Sequence, residues 1–330
     1  MRLGDLLREL EDDTEERVRR AGAAHNEAIR GALGDDLLRF KLTWRSGREA
    51  GRVARYASAS ITYEPIMADI ALRELPTDDA VAALLSLWGP DIHHLARGVA
   101  GVRRLLDQWG ARLTELVDVP RAIGTLEQAG ALVDSLDAVR RGGRFDLIAW
   151  LHAGPDDALG CWRYMGDADG PDGYATSVKG EISLYCGAIG LCAKALAAPV
   201  ETLTVITLAH ELAHAYTHLG FDRDGERWRC DAFAICEREL KEGLAQLYTF
   251  WILHRLEASG RVRELVPTFL ELMSRQPAPY RMHLPWLDLG ATPEAVATAL
   301  ARVRRRGAAS HDEFTRALRS TLDERRGRGR

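Results

Sequence analysis

His210-Glu211-Leu212-Ala213-His214 lies inside the apolar run Leu203-Thr204-Val205-Ile206-Thr207-Leu208-Ala209 and continues as Ala215-Tyr216. On an α-helix, residues four apart sit about 40° from one another on one face. The two imidazoles therefore reach one divalent ion, and Glu211, a step round the helix, lies near that ion without having to bind it. This spacing suits a zinc-bound water with a carboxylate beside it as general base. Between Thr202 and His218 the only charged residue is Glu211. So apolar a helix is expected to be buried, and two buried imidazoles and a carboxylate need partners.

A catalytic zinc site has three protein ligands and one open position. Thr217 and Gly220 stand where the longer H-E-x-x-H-x-x-G-x-x-H pattern has its glycine and last histidine, so that third ligand is excluded. His218 shares the face of His214 but lies a turn further on. It reads as a helix C-terminal residue, interacting with the dipole or the cleft rim. The next long helix offers Glu242-Gly243-Leu244-Ala245-Gln246. It follows His214 at a distance that a turn and a returning helix cover, so Glu242 is the expected third ligand. Glu239, at i−3 on the same face, is the reserve, and Asp231 stands behind it. Gly243 and Ala245 would let two helix backbones approach closely. Gln246, one turn beyond Glu242, is placed to accept the distal N–H of a ligand histidine and fix its tautomer.

With both segments in view, the chain resembles the gluzincin clan of zinc metallopeptidases. These pair an H-E-x-x-H helix with a glutamate on a second helix, often in an E-x-x-A-D/Q context. The resemblance spans roughly residues 144 to 256 and implies a zincin-like core, one zinc per chain on His210, His214 and Glu242, and hydrolysis of peptide bonds. It also implies a strand at the sheet edge, just before the metal helix, lining the substrate cleft. Glu181-Ile182-Ser183-Leu184-Tyr185-Cys186 occupies that place. Leu212-Ala213-His214-Ala215-Tyr216 is similar to a subset, intracellular peptidases that cleave transcriptional repressors, but no DNA-binding motif is recognisable in this chain.

The expected mechanism has Glu211 take a proton from a zinc-activated water and pass it to the departing amine. For a second donor to the carbonyl oxygen the sequence offers Tyr248, Tyr280, Arg281 and His283. The last three lie in a loop bounded by Pro277, Pro279 and Pro285.

Composition narrows the setting. The chain has 330 residues, 46% of them hydrophobic and 28% charged, as in soluble globular proteins. A net charge of −4 gives no general attraction to nucleic acid or anionic membranes. The longest apolar stretch, Ile182 to Tyr216, is interrupted by Lys194, Pro199 and Glu201, so no membrane span is expected. The N-terminus lacks an apolar signal region. Five cysteines with no close-set CxxC read as free thiols of a reducing compartment, and a cytoplasmic protein is expected.

The expected fold class is α+β and predominantly helical, with a small mixed sheet. Residues 1–141 read as a helical N-terminal region, open to a regulatory partner, and residues 142–330 as the hydrolase domain. In the first part, Leu3, Leu6, Leu7, Leu10 and Val18 form one amphipathic stripe. Further helices are expected from Thr77 to Gly89, Asp91 to Leu116 and Ile123 to Arg141, while Leu37 to Trp44 reads as strand or helix end. In the second part, strands are expected at Phe145–Leu151, Cys161–Met165 and Glu181–Cys186. The metal helix is expected to begin with Pro199 at N1 and to end at Gly220, followed by one long helix from Trp228 to Leu256. Two closing helices open at Thr292-Pro293 and at Ser310, where Glu313 completes a capping box. Asp167 to Gly173 is out of register for a calcium loop and reads as a hairpin turn. The basic tail from Arg325 to Arg330 reads as a frayed, solvated end.

Three functions fit these features. The leading one is zinc-dependent hydrolysis of peptide bonds in an intracellular protein or peptide substrate. The others are a regulatory or scaffold protein with structural zinc, and a zinc hydrolase acting on a non-peptide amide. A structural site has no need of Glu211, which favours an enzyme.

Overall fold

The computed structural model describes residues 13–37, 59–64, 97–105, 147–152, 158–166, 178–220, 228–260, 262–306 and 309–328, with a few isolated positions besides. Its helices, in chain order, are α1 (Thr14–Gly31), α2 (Leu147–His152), α3 (Cys186–Ala195), α4 (Val200–Leu219) and α5 (Cys230–Ala234). There follow α6 (Arg238–Ala258), α7 (Leu265–Arg275), α8 (Leu284–Asp288), α9 (Pro293–Arg304) and α10 (His311–Arg328). A π-helical stretch, Ala32–Leu37, extends α1, and a 3-10 turn, Ala278–Arg281, joins α7 to α8. The strands are β1 (Ser60–Glu64), β2 (Gly160–Gly166) and β3 (Val178–Tyr185). The structure is thus mostly helical with a small mixed sheet, as expected.

The central element is α4. Every residue of it except Val200, Glu201 and Tyr216 is buried, which is the state of a helix that is apolar all round. It packs against α1, α3, α6 and α7 and against β2 and β3. Pro199, extended at ψ 139°, is its N-cap rather than its first residue, and Gly220 closes it. Glu201 in its first turn pairs with α1 through two bonds, Arg17 Nε–Oε1 at 2.7 Å and Arg17 Nη2–Oε2 at 2.9 Å.

In the sheet, β3 lies between the other two strands. It pairs in parallel with β1, Ser60 opposite Glu181, and antiparallel with β2, Trp162 opposite Ile182. The expected edge strand before the metal helix is therefore the central one. The strand beside the metal helix that lies at an edge of the described sheet is β2.

Two other expectations change. The run read as a strand at Phe145–Leu151 is helical from Leu147 on. Ile148 and Leu151, three apart, are buried together, and the His152 Nδ1–H donates to the Ile148 carbonyl at 2.9 Å. A short apolar run fits either state, and here the i, i+3 spacing decides. The long helix expected from Trp228 to Leu256 is broken between α5 and α6. At the break the Glu237 N–H donates to the Ala309 carbonyl, 3.2 Å away, and Glu237 Oε2 accepts from the His311 N–H at 2.9 Å. Contacts with the start of α10 thus take over groups that a continuous helix would use.

The closing helices are capped as their sequences suggest. Thr292 Oγ1 accepts from the Ala295 N–H, and Ser310 and Glu313 bond each other's backbone N–H at 3.2 and 3.1 Å. In the basic tail Arg325, Arg326 and Gly327 are exposed and the backbone is helical through Arg328, while its last two residues lie outside the described residues. The segment 97–105 is helical within the helix expected there. The helix expected from Thr77, most of Leu37–Trp44, the stripe from Leu3 to Leu7 and the turn from Asp167 to Gly173 lie outside the described residues. Among the described residues, no helix is long and apolar enough to cross a membrane.

The N-terminal region shares the core of the rest. Val18, Ile29 and Leu33 are fully buried in the same cluster as α4, and β1 completes the sheet. Burial of those three side chains alone is worth about 5–9 kcal/mol, against a total stability of about 5–15 kcal/mol for a typical domain. A fragment beginning at residue 142 is therefore expected to be unfolded or molten by circular dichroism and amide exchange. A cooperative, native-like unfolding transition in that fragment would show instead that residues 142–330 stand alone.

Candidate metal centre

Three ligand-type atoms converge where α4 faces α6. The His210 and His214 Nε2 atoms are 3.1 Å apart, and Glu242 Oε2 is 3.2 Å from the first and 3.5 Å from the second. All three residues are buried, and among the described residues they form the one group of this kind with the spacing to hold a metal ion. Glu242 Oε2 makes no hydrogen bond of good geometry, although it is enclosed and lies against both imidazoles.

These distances test the fit of an ion. Ligand atoms about 2.0–2.1 Å from a tetrahedral zinc are about 3.3–3.4 Å from each other. The three observed edges bracket that value, and the donor set of two imidazoles and one carboxylate suits zinc. The residues therefore fit the ion. Burial by itself pushes the Glu242 carboxyl up, but the close approach of the His214 and His210 imidazoles outweighs it. The carboxyl is held well below the usual range, ready to serve as an anionic ligand.

The alternatives for the third ligand fall away on position. Glu239 is half-exposed and outside the group, and Asp231 is exposed, with its carboxylate held by Arg229 at 2.7 Å. Gly243, beside Glu242, has a different use from the one expected. A Cβ on Gly243 would come within 2.9 Å of the Trp286 indole, so the space belongs to that ring rather than to a neighbouring helix backbone.

Glu211 is 1% exposed and lines a cavity of about 30 Å³ together with His210. That volume holds about two waters. Gly160, the first residue of β2, comes so close to Glu211 that a Cβ there would lie 2.9 Å from Glu211 Cγ and 3.1 Å from its Oε1. Ala158 and Leu159, just before it, also line the cavity. The sheet edge therefore meets the site at the carboxylate, through a residue without a side chain.

Gln246 lines the same cavity, but its amide donates to Gln276 Oε1 at 3.3 Å rather than serving a ligand histidine. Of the four residues considered as oxyanion donors, only Tyr280 reaches the cavity. Its ring centroid is 5.9 Å from that of His210 and 5.6 Å from that of His152. Tyr248 is buried beside Trp251 and away from the cavity lining; burial raises its pKa. Arg281 is exposed on the 3-10 turn. His283 is buried near Phe269, and neither ring nitrogen has a hydrogen bond of good geometry. His218 is not at a cleft rim. It is fully buried, stacked on Phe233 with centroids 4.3 Å apart, and its Nδ1 accepts from the Trp162 indole at 3.4 Å.

Sequence reading missed three participants. His152 was obscured because its segment reads as a strand, and its i+4 relation to Ile148 matters only in a helix. Gln276 precedes a proline-rich turn and carries no periodic signal. Gly160 is significant only through what lies against it.

Burial sets the pH response. It lowers both His152 and His283 from 6.5 to about 4, with a nearby backbone carbonyl, of Ile148 and of Tyr280 respectively, opposing it. Both are neutral in the folded protein, so the unfolded chain binds more protons between about pH 6.5 and 4. Their contribution is intact above the unfolded value and is lost as pH falls through this window, up to roughly 3 kcal/mol per histidine. The urea midpoint of metal-free protein should drop between pH 7 and 4.5, and His283→Phe should lessen the drop. An equal drop in that variant would sink the assignment. In comparisons with known proteins, no family model matches the chain, and neither a curated protein nor a solved structure matches it.

Proposed function

We propose that the protein is a zinc-dependent hydrolase of peptide bonds, with a gluzincin-like arrangement of His210, His214 and Glu242 as ligands and Glu211 as general base. The observation that carries this reading is the buried convergence of three ligand atoms at 3.1–3.5 Å with a second acid, Glu211, beside them. Two histidines and a carboxylate also suit iron in oxygenases. Such an enzyme has no use for a general base, so Glu211 favours hydrolysis.

Bound zinc would lower the pKa of water and polarise a carbonyl oxygen. The chain's own groups supply the proton movements. A Glu211 carboxylate oxygen takes the proton that the attacking water gives up and returns it to the departing amine nitrogen. Gly160 limits how far that carboxylate swings, since β2 backbone stands against it. Tyr280 is the residue placed to donate a hydrogen bond to the carbonyl oxygen, because its ring lines the same cavity as Glu211. Five free cysteines suit a reducing, cytoplasmic setting.

Purified protein should carry about one zinc per chain, and replacing both His210 and His214 with Ala should abolish it. Full occupancy in that double variant would end the assignment. Glu211→Gln should keep zinc and fold while losing peptide hydrolysis by roughly 10²–10⁴-fold. Unchanged turnover in Glu211→Gln would make the metal structural. Gly160→Ala, which crowds Glu211 without touching a ligand, should also retain zinc but lower turnover about tenfold or more. Normal turnover there would show that Glu211 does not depend on its contact with β2.

A further inference from the structure

Close to the metal ligands, the cavity wall is more polar than a hydrophobic core requires. His152, Gln246, Gln276 and Tyr280 all line it, and each is at least 95% buried. Gln246 donates to Gln276, which leaves the enclosed Gln246 Oε1 without a hydrogen-bond partner. The Ile148 carbonyl can only accept, so the His152 nitrogen beside it, Nδ1, carries the proton. Its Nε2 is then an acceptor. A buried acceptor left unsatisfied is costly, and the Gln246 Oε1 on this wall calls for a ligand that supplies a donor.

The chemistry of the wall selects the ligand. Among the described residues no lysine or arginine lines the cavity, Arg238 lying 5.9 Å from the centroid of the Tyr280 ring, so a carboxylate on this wall would find no cation to hydrogen-bond it. An ammonium would meet neutral acceptors here but would be repelled by the nearby ion. A carboxamide is neutral and carries both N–H donors and a carbonyl acceptor. It complements the Gln246–Gln276 pair whichever of the two amides donates to the other.

We propose that this wall is a specificity subsite for a carboxamide group, such as a glutamine or asparagine side chain adjacent to the bond that is cleaved. The inference rests on the zinc-hydrolase reading above, and its test separates the two. Zinc-loaded full-length protein is titrated calorimetrically with peptidyl hydroxamates that differ only in the neighbouring side chain, glutamine, glutamate or leucine. The hydroxamate group ligates the zinc, and the side chain probes the wall.

The glutamine compound should bind at least about tenfold more tightly than either of the others, as for a site built to hydrogen-bond its ligand. In Gln246→Leu, and separately in Gln276→Leu, that preference should shrink to about threefold or less while the leucine compound keeps its affinity. His152→Phe, which retains a ring beside Tyr280, should weaken the glutamine compound alone. Equal binding of the glutamine and leucine compounds overturns the subsite and leaves the hydrolase reading standing, as does a preference that survives both glutamine replacements. If no hydroxamate binds zinc-loaded protein, the hydrolase reading falls and takes the subsite with it.

Discussion

Two imidazoles and two carboxylates are held out of water around a helix that is otherwise apolar on every side, and this constraint organises the rest of the molecule. Because α4 is enclosed all round, its polar groups have no solvent to turn to. They must be satisfied by what packs against them or by an ion. Glu242 on α6 satisfies part of the demand by approaching both histidines. Yet its Oε2 makes no good hydrogen bond while lying within 3.5 Å of two ring nitrogens. That is the arrangement of ligands sharing one ion rather than of a hydrogen-bonded network.

The neighbouring elements serve this arrangement in different ways. Helix α6 brings the third ligand, and its Gly243 makes room for the Trp286 indole, which is anchored in turn by a 2.8 Å bond to Thr315 Oγ1. The position of Glu242 is thus tied to the packing of α8 and α10. The sheet contributes no ligand; β2 fixes Glu211 by closeness of backbone instead. On the other side, α1 is fastened to the first turn of α4 by the paired contacts between Arg17 and Glu201. At this partly exposed position the pair adds little stability, about 0–1 kcal/mol, and its use is to set the angle of α1.

What the sequence disclosed follows from the range of each signal. His210, His214 and Glu211 are legible because helical periodicity fixes their relation within five residues. Glu242 is legible because a returning helix of ordinary length must face the first. The caps at Thr292 and Ser310 are local as well, and they are present. The break before Arg238 is not legible, because it depends on Ala309 and His311, some seventy positions away in the chain. The central place of β3 is hidden for the same reason. Its parallel partner, Ser60–Glu64, is separated from it by more than a hundred residues. Short apolar runs such as Leu147–Leu151 carry no decision of their own between strand and helix.

The same distinction explains why the metal ligands and the cavity wall differ in how they are encoded. Groups that could hold one ion must converge on a point; a helix face brings two of them together within about one turn, so a short motif records His210 and His214, and Glu242 needs only one facing helix more. A cavity wall is assembled from whatever the fold brings to it. Here His152 comes from α2, Gln246 from α6, Gln276 from the end of α7 and Tyr280 from the 3-10 turn. None of these residues has a fixed spacing to another, and each becomes polar lining only once α4 has drawn the surrounding helices together. The candidate groups on α4 are therefore written in contiguous sequence, while the polar groups of the wall are a property of the packing.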